Sequence, residues 1–336
     1  MTPKVIITGG AGFIGSHLAE SLIKAGQRVH IVDNLSTGSA DNLSHLPRDA
    51  YTFTEGSAAE VLQQQPDIWE GVGTLYHLAA SVGVQMILED PTAMIRNNVE
   101  QTDAVVDAAA RHRATLLIAS SSEVYGRSTD LPLREQGDLV YGPTTSARWA
   151  YGMAKALDEQ LVLDAIRQQR LSGVIVRLFN TIGPRQVGQY GMVVPRFVEQ
   201  AVAGKPLQVY GDGSQTRAFC DVRDVAAAMQ TLIDTPSAHG RVYNLGSDRQ
   251  LSILELAEIV IRLAGTNATI TRVPYDRAYP QGFEETPDRV PSLERIREAI
   301  GFRPITSLEQ TLTELIDKAR SQTSQSPPTR TAEQAT

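Results

Sequence analysis

Residues 4–15 read Lys-Val-Ile-Ile-Thr-Gly-Gly-Ala-Gly-Phe-Ile-Gly, and this stretch decides the fold. The β-branched run from Lys4 to Thr8 predicts a buried strand. The glycines after it satisfy both G-x-x-G-x-x-G and G-x-G-x-x-G, and apolar residues at helical spacing follow them. Glycines at such a turn let backbone N–H groups approach a pyrophosphate at the start of a helix. We expect the dinucleotide contacts to come from Gly9, Gly12, Phe13, Ile14 and Gly15.

An acidic residue ends the second predicted strand. That strand covers residues 28–32, and Asp33 follows it directly. A carboxylate there accepts hydrogen bonds from an adenosine ribose and repels a 2′-phosphate, so the sequence predicts NAD rather than NADP. The alternative is a glycine-rich turn that holds no ligand. The polar loop that follows is expected to wrap the adenosine through Asn34, Ser36, Thr37 and Gly38.

Predicted strands and helices alternate along the chain. Further strands are predicted over residues 50–54, 74–78, 115–119 and 173–177, with a long helix after Pro91. This alternation is typical of an α/β fold with a doubly wound parallel (Rossmann) sheet, which binds ligands at the carboxyl ends of its strands. His77 is interpreted as structural, because the sequence shows no partner for it. Small side chains after it allow close approach of a cofactor, at Leu78, Ala79 and Ala80.

Tyr151 and Lys155 are the predicted centre of the chemistry. They are four residues apart in a stretch with helical apolar spacing, so they lie on one face of a helix. A neighbouring ammonium favours the phenolate and lowers the tyrosine pKa towards working pH. Tyr151 is therefore a plausible general base for a hydroxyl proton. The pattern is weak alone and needs a hydride acceptor upstream and a helper hydroxyl nearby.

Three serines and a glutamate follow the fifth predicted strand, as Ser120-Ser121-Ser122-Glu123. Because the carboxyl ends of parallel strands meet at the ligand-binding edge, these hydroxyls and the carboxylate are predicted to lie beside the nicotinamide. The alternative is a helix cap or a serine-rich turn.

Composition excludes several classes of protein. The 336 residues carry a net charge of -7, which argues against a general nucleic-acid binder. One cysteine, Cys220, excludes an intrachain disulfide and a cysteine zinc cluster, and the six histidines show no metal-binding spacing. No apolar run reaches the length that spans a membrane, and no signal peptide is recognised. We expect a cytoplasmic protein that binds neither a metal, a membrane nor nucleic acid.

The chain resembles the extended short-chain dehydrogenases/reductases, specifically the nucleotide-sugar epimerase/dehydratase/decarboxylase family, from Lys4 to about Ala319. The resemblance rests on GGAGFIG, DNLSTG, HLAA, SSSEVYG, YGMAK, RLFNTIGPR, VYGDGSQTR and DVRDV. It implies a homodimer built from helices around residues 92–111 and 151–169, and a smaller C-terminal α/β lobe that binds a UDP-sugar. The lobes are expected at residues 1–180 and 221–248 for NAD, and 181–220 and 249–320 for the sugar nucleotide, before a disordered tail over 321–336.

The resemblance also implies roles for individual residues. Ser121, Tyr151 and Lys155 form the catalytic triad, and Lys155 also holds the nicotinamide ribose. Gly56 and Ser57 stand where the family commonly has an Asp for the adenine. Asn180, Arg217 and Arg289 are expected near the uridine diphosphate. Further contacts with the substrate are expected from Val82, Val193, Gln208 and Tyr210.

Two features favour a UDP-glucuronate decarboxylase within this family. Ser122-Glu123 after the catalytic serine resembles those enzymes, whereas dehydratases usually have Asp-Glu and simple 4-epimerases small or hydroxylic residues. Arg148 also matches, and it can pair with a sugar carboxylate through a bidentate fork; a surface or interface cation is the alternative. The segment over residues 81–84 departs from the proline-containing decarboxylase pattern. The other readings are a 4-epimerase, a dTDP-glucose dehydratase and a catalytically inactive nucleotide-sensing protein.

Overall fold

Seven parallel strands form the central sheet of the computed structural model, which describes residues 4–81, 90–188, 192–278 and 288–325. The predicted α/β fold with a doubly wound sheet is confirmed. From one edge to the other, the strands are β11 (Val242–Leu245), β6 (Gly173–Leu178), β5 (Thr115–Ser121), β4 (Val72–His77), β1 (Lys4–Thr8), β2 (Arg28–Asp33) and β3 (Tyr51–Glu55).

Helices cover both faces of this sheet, which explains why its inner strands are apolar runs rather than alternating patterns. One face packs on α1 (Phe13–Lys24), α6 (Val222–Ile233) and α9 (Glu294–Ile300). The opposite face packs on α2 (Ala58–Gln64), α3 (Pro91–His112) and α4 (Ala150–Arg167). Long helices α3 and α4 lie against each other and bring the segment that carries Tyr151 beside β5.

A second apolar core lies in the C-terminal half of the chain. Its helices are α5 (Val193–Val202), α7 (Ile253–Ala264) and α10 (Leu308–Gln325). Ser252 caps α7 and Glu255 completes the capping box. The short elements around it are β7 (Thr181–Ile182), β8 (Leu207–Tyr210), β9 (Thr216–Ala218), β10 (Cys220–Asp221), β12 (Gln250–Ser252), β13 (Ile270–Val273), β14 (Asp288–Arg289) and α8 (Tyr275–Ala278).

Residues 216–220 do not form one continuous strand. They are divided at Phe219, because β9 pairs with β12 and β14 whereas β10 pairs with β7. The structure differs from the sequence-based expectation at the C-terminal end of the last helix. Helix α10 continues to Gln325, past the predicted start of the tail at residue 321. Arg320 donates to the carbonyl of Ala264 at the end of α7, which holds this last turn in place. Residues 326–336 lie outside the described residues.

The lobe boundaries stay a prediction. Leu293, Ile296 and Phe302 pack into the core beside α1, although the sequence assigns them to the substrate lobe. Within the described ranges, no helix combines the length and the apolar character needed to cross a membrane.

Candidate active site

A cavity of about 560 Å³ opens at the carboxyl ends of the central strands and extends towards the second core. It is the place where a doubly wound sheet binds its ligands. Most of the residues predicted for the site line this cavity. They are Gly9, Gly12, Phe13, Ile14, Gly15, Asp33, Asn34, Ser36, Thr37, Gly56, Ser57, Leu78, Ala79, Ala80, Ser121, Ser122, Glu123, Arg148, Tyr151, Asn180, Val193, Tyr210, Arg217 and Arg289. Gly38, Lys155 and Gln208 do not line it, and Val82 lies outside the described residues.

The glycine turn between β1 and α1 has room for backbone only. Gly9 has φ +72°, and a Cβ there would lie 2.6 Å from the backbone nitrogen of Ala79. A Cβ on Gly15 would lie 2.1 Å from the Gly9 carbonyl oxygen. No side chain caps the start of α1 at Gly12. The first N–H groups of the helix therefore face a cradle suited to a pyrophosphate, which fits the predicted dinucleotide.

Asp33 is buried at the edge of the cavity and is held by two backbone donors. The N–H of Ala11 donates to Oδ2 at 2.9 Å, and that of Leu35 donates to Oδ1 at 2.8 Å. Each oxygen keeps a second lone pair for a ribose hydroxyl. Gly38 lies close to this turn: a Cβ there would lie 3.0 Å from the Ala11 carbonyl carbon and 3.1 Å from Asp33 Oδ1, and its contact with the cofactor stays a prediction.

Ser121 and Tyr151 meet through a hydrogen bond between their hydroxyls. Ser121 is the last residue of β5, and its Oγ also accepts from the N–H of Glu123 at 3.2 Å. The adjacent Ser120 donates to Glu159 of α4, whose carboxylate is paired with Arg177 of β6. This buried network connects β5, β6 and α4. These three elements together position the hydroxyls of Ser121 and Tyr151.

The pKa of Tyr151 does not follow the sequence-based expectation. Burial raises it well above its usual range, and the negative charges of Glu123 and Asp158 raise it further, whereas the Ser121 hydrogen bond lowers it only in part. Lys155 does not offset this, because its Nζ donates to Asp158 Oδ2 at 2.8 Å. Lys155 is 2% exposed and lies beneath the cavity wall. In the protein alone, Tyr151 is a phenol.

Glu123 is held between two arginines. Its Oε2 accepts from Arg148 Nη1 at 2.6 Å, and its Oε1 accepts from Arg289 Nη1 at 2.5 Å. Burial alone would raise the pKa of Glu123, but the charges of Arg289 and Arg148 and their hydrogen bonds lower it to about 2. The carboxylate is therefore ionised at neutral pH. It accepts hydrogen bonds and orients cations, and it has no proton to donate.

The far end of the cavity combines aromatic rings with cations. Arg196 lies over the ring of Tyr210, with 4.0 Å from its guanidinium carbon to the ring centroid. Asn180 Nδ2 donates to the Ala218 carbonyl at 3.2 Å, which fixes its side chain beside β9. Gln208 is predicted to touch the substrate, but its side chain points to solvent on β8. Its backbone is hydrogen-bonded at both groups: the carbonyl oxygen accepts from Arg196 Nη2 at 3.3 Å, and the N–H donates to Gln200 Oε1 at 3.1 Å.

Several cavity residues escaped the sequence-based reasoning. Gln215 and Phe219 lie in or beside the VYGDGSQTR motif, so their neighbourhood was recognised but their side chains were not assigned. Asn97 and Gln101 show a signal that was available, since two amides four residues apart share one face of α3. Others include Ser81, Thr181, Gln186, Met192, Arg196 and Tyr275.

His77 has partners that the sequence does not reveal. Its Nδ1 lies 2.7 Å from the Thr8 hydroxyl of β1, and its Nε2 lies 3.3 Å from the Thr102 hydroxyl of α3. Burial, and then the charge of Lys155, lowers the pKa of His77 to about 3. The ring is therefore neutral at working pH and links β1, β4 and α3 beneath the cavity. A structural role agrees with this geometry.

Comparison with known proteins identifies the family. Residues 5–246 match the NAD dependent epimerase/dehydratase family. This chain belongs to that family. The family membership confirms the resemblance and the prediction of NAD as cofactor, and the glycine cradle with Asp33 at its edge suits that dinucleotide.

Relatives with printed activities cover almost the whole chain. It is 39% identical to the UDP-N-acetyl-alpha-D-glucosaminuronate decarboxylase of Bacillus cytotoxicus over 94% of this chain and 97% of that protein. It is 33% identical to UDP-glucuronic acid decarboxylase 1 of Arabidopsis thaliana over 94% of this chain and 70% of that protein. The UDP-glucose 4-epimerase of Thermus thermophilus, solved with NAD, superposes with a TM-score of 0.79 at 26% identity, covering 94% of this chain and 99% of that one.

Proposed function

We propose that this chain decarboxylates a UDP-linked uronic acid, with UDP-glucuronate as the substrate that the sequence favours. The observation that carries the proposal is the Arg148–Glu123–Arg289 cluster, which places two guanidinium groups at the cavity wall beside Tyr151. Paired arginines suit the carboxylate of a uronic acid, which a neutral hexose lacks. The two decarboxylase relatives act on UDP-uronates by name, which supports the same substrate class.

Oxidation at C4 of the sugar is the first step of the proposed reaction. The glycine turn and Asp33 would hold NAD, which would supply the hydride acceptor. Tyr151 removes the proton of the 4-hydroxyl, and Ser121 shares that proton through its hydrogen bond. Because the protein alone keeps Tyr151 protonated, the positive charge that a bound cofactor would bring would favour its phenolate form. Lys155 lies one helical turn away to stabilise it.

Loss of carbon dioxide follows from the position of the ketone. The carboxylate on C5 is β to the 4-ketone, so the C5–carboxyl bond breaks and its electron pair forms an enolate that the ketone oxygen stabilises. A proton then adds at C5. Reduction of the 4-ketone, for which the cofactor would return the hydride to C4 and Tyr151 would return the proton to the oxygen, would give UDP-xylose. Arg148 and Arg289 are placed to hold the carboxylate, and Glu123 orients both arginines. Release of the 4-keto pentose before hydride return is the other possible end of the reaction.

The substituent at C2 of the sugar separates two decarboxylase substrates. The Bacillus relative acts by name on an N-acetylated uronate, whereas the Arabidopsis relative acts by name on the plain one. The higher identity to the first favours an acetamido group as the second candidate. Epimerisation at C4 remains the alternative outcome of the same first step. In that reaction the 4-keto sugar rotates in the cavity and accepts the hydride on its other face.

One experiment separates these outcomes. The enzyme is incubated with NAD and, in parallel, with UDP-glucuronate, UDP-N-acetylglucosaminuronate and UDP-glucose, and carbon dioxide and product masses are measured. Carbon dioxide from one of the uronates and little turnover of UDP-glucose are expected. A uronate that changes its C4 stereochemistry without losing mass would replace the decarboxylase by the epimerase.

A homodimer and a cytoplasmic location are part of this proposal. Leu157 is 52% exposed on α4, next to the α3–α4 pair at which the dimer is expected. An apolar residue in that position suits an interface between two copies. Sedimentation of the wild type should give twice the chain mass, and Leu157→Asp should shift it towards the monomer; a monomeric wild type would contradict the proposal.

A further inference from the structure

Asp158 is an ionisable side chain that the proposed reaction leaves without a role. It lies on α4, three residues after Lys155, and it is fully buried. Its Oδ2 accepts from Lys155 Nζ at 2.8 Å. Two ions removed from water remain charged only when they are paired closely, so this pair has a strong reason to persist in the folded enzyme.

The ion pair determines which neighbouring side chain the Lys155 ammonium contacts. Lys155 has Tyr151 one turn before it and Asp158 one turn after it on the same helix, and the ammonium reaches the carboxylate. Burial is the main reason that the pKa of Tyr151 lies above its usual range, and Glu123 and then Asp158 add to it. Asp158 therefore opposes phenolate formation twice, through its own charge and through its hold on Lys155.

The other charged groups around this pair are already engaged. From β4, His77 faces Lys155 as a neutral ring, since its pKa is lowered to about 3. From α3, the Thr102 hydroxyl faces Asp158 and favours its ionised form, whereas burial is the main influence on its pKa and raises it. Glu159, the other carboxylate that faces Asp158 from α4, is paired with Arg177.

Across the cavity wall, Glu123 faces Tyr151 from the turn after β5, and Arg148 and Arg289 hold it. Asp158 is thus the carboxylate whose charge is directed at Lys155.

We propose that Asp158 is a positioning residue for the catalytic pair: it fixes the Lys155 ammonium beneath Tyr151 and offsets its charge, so that the base stays protonated until the site is loaded. This rests on Tyr151 being the base of the proposed reaction. A base held in its phenol form would not take protons from water or from a wrongly placed hydroxyl. The Lys155 ammonium would help to stabilise the Tyr151 phenolate once the cofactor brings further positive charge into the cavity.

Replacement of the carboxylate by an amide tests the charge without changing the shape. In Asp158→Asn, the Lys155 ammonium loses its counter-ion, so its positive charge acts on Tyr151 without compensation. The pKa of Tyr151 in the ligand-free enzyme should then fall by about one pH unit or more. The rising limb of the kcat–pH profile should move to lower pH in the same direction, because the phenolate forms more readily.

The readout is an ultraviolet titration of phenolate in the ligand-free enzyme. Wild type and Asp158→Asn are each compared with the same protein carrying Tyr151→Phe, so that the difference isolates Tyr151 from the other tyrosines. Asp164→Asn, at an exposed position of the same helix, is the matched control and should titrate as wild type. Circular dichroism checks that each variant is folded. If Asp158→Asn does not fold, Asp158→Ser removes the same charge with a smaller polar side chain.

The outcomes separate this proposal from the proposed function. A downward shift of the Tyr151 titration together with the shift in kcat–pH supports the positioning role. A lower kcat with an unmoved Tyr151 titration and pH profile makes Asp158 merely structural and overturns it. If Tyr151→Phe keeps its activity, the proposed base is wrong, whereas the ligand-free titration still reports whether Asp158 controls that phenol.

Discussion

Arg148 Nη1 lies 2.6 Å from Glu123 Oε2, so the residue expected to bind the sugar carboxylate is already paired with a carboxylate of the protein. Arg289 approaches the other oxygen of Glu123. The pair is only partly exposed, with Arg148 at 10% and Glu123 at 23%. A uronate that enters must share the two arginines with Glu123, which gives the site a preference for a group with the same charge and shape.

Removal of Arg148 should affect a uronate far more than a neutral sugar. A charge-assisted bidentate contact contributes roughly 1.5–3 kcal/mol, so Arg148→Ala should lower kcat/KM for UDP-glucuronate by about 10- to 150-fold. Turnover of UDP-glucose, already poor, should hardly change. Arg167→Ala, at the exposed end of α4, is the control. Equal losses for both sugars in steady-state kinetics would exclude a carboxylate contact.

Glu123 should matter more for the loss of carbon dioxide than for oxidation. Glu123→Ser removes an ionised carboxylate that orients Arg148 and Arg289, but it leaves Ser121 and Tyr151 in place. Pentose formation should slow more than the first hydride transfer, so the 4-epimer has time to appear. The two steps are followed as NADH absorbance in a single turnover and as carbon dioxide released. A parallel decrease in both would show that Glu123 has no separate part in decarboxylation.

Tyr151 should be needed for proton removal but not for folding. Tyr151→Phe keeps the buried ring and removes the ionisable hydroxyl, so hydride transfer should fall by about 100-fold or more while thermal unfolding stays close to wild type. Tyr141→Phe is a comparison tyrosine, because its hydroxyl donates to the Gly152 carbonyl on the same helix. Near-normal turnover of Tyr151→Phe would remove Tyr151 from the role of base.

Asp33 should make the protein prefer NAD to NADP. Its carboxylate is fixed at the edge of the cavity by the N–H groups of Ala11 and Leu35, where a 2′-phosphate would be repelled. Calorimetry should show tighter binding of NAD, and Asp33→Asn should narrow the difference. Asp33→Asn also replaces one acceptor oxygen by an NH2 group, which faces one of these backbone N–H donors. The substitution should therefore lower the free energy of unfolding by about 1–3 kcal/mol. Equal affinities in the wild type would contradict the prediction.

His77 should make the fold sensitive to mild acid. Its pKa is about 3 in the folded protein against about 6.5 when unfolded, so the folded state binds fewer protons between these values. Stability is therefore lost as pH falls below about 6.5, by roughly 1.4 kcal/mol per pH unit. Burial also lowers the pKa of His17 and His30 to about 4, which adds to the loss.

Urea unfolding at two pH values measures the contribution of His77. From pH 6.5 to pH 5, roughly 2 kcal/mol should belong to this one residue. His77→Asn should remove that share of the pH dependence. Thr8→Val removes the hydroxyl partner of His77 without a titrating group, so it should lower stability at every pH and leave the slope unchanged. A His77 variant with the wild-type slope would contradict the assignment.

The sequence by itself determined the parts of the site that depend on local backbone geometry. Gly9 must adopt φ +72°, and a side chain at Gly15 would meet the backbone of the same turn, so both positions are readable from the chain. The strands before Asp33 and Ser121 were predicted to end at residues 32 and 119, where the apolar runs stop, within two residues of the observed ends. Parallel pairing then places both ends at one edge of the sheet. Short-range sterics and the order of strands are sufficient for these conclusions.

Only the tertiary structure decided the charge state of the site. Helical spacing alone allows the Lys155 ammonium to reach either Tyr151 or Asp158. The burial of this helix face, together with Thr102 and His77 from other elements, favours the ion pair with Asp158. The meeting of Glu123 with Arg289 depends on β14 pairing with β9 across the cavity, far away in sequence. Whether an ionisable group is charged depends on its desolvation and its partners, and long-range packing sets both. The same motif is therefore compatible with a low or a high tyrosine pKa until the fold is known.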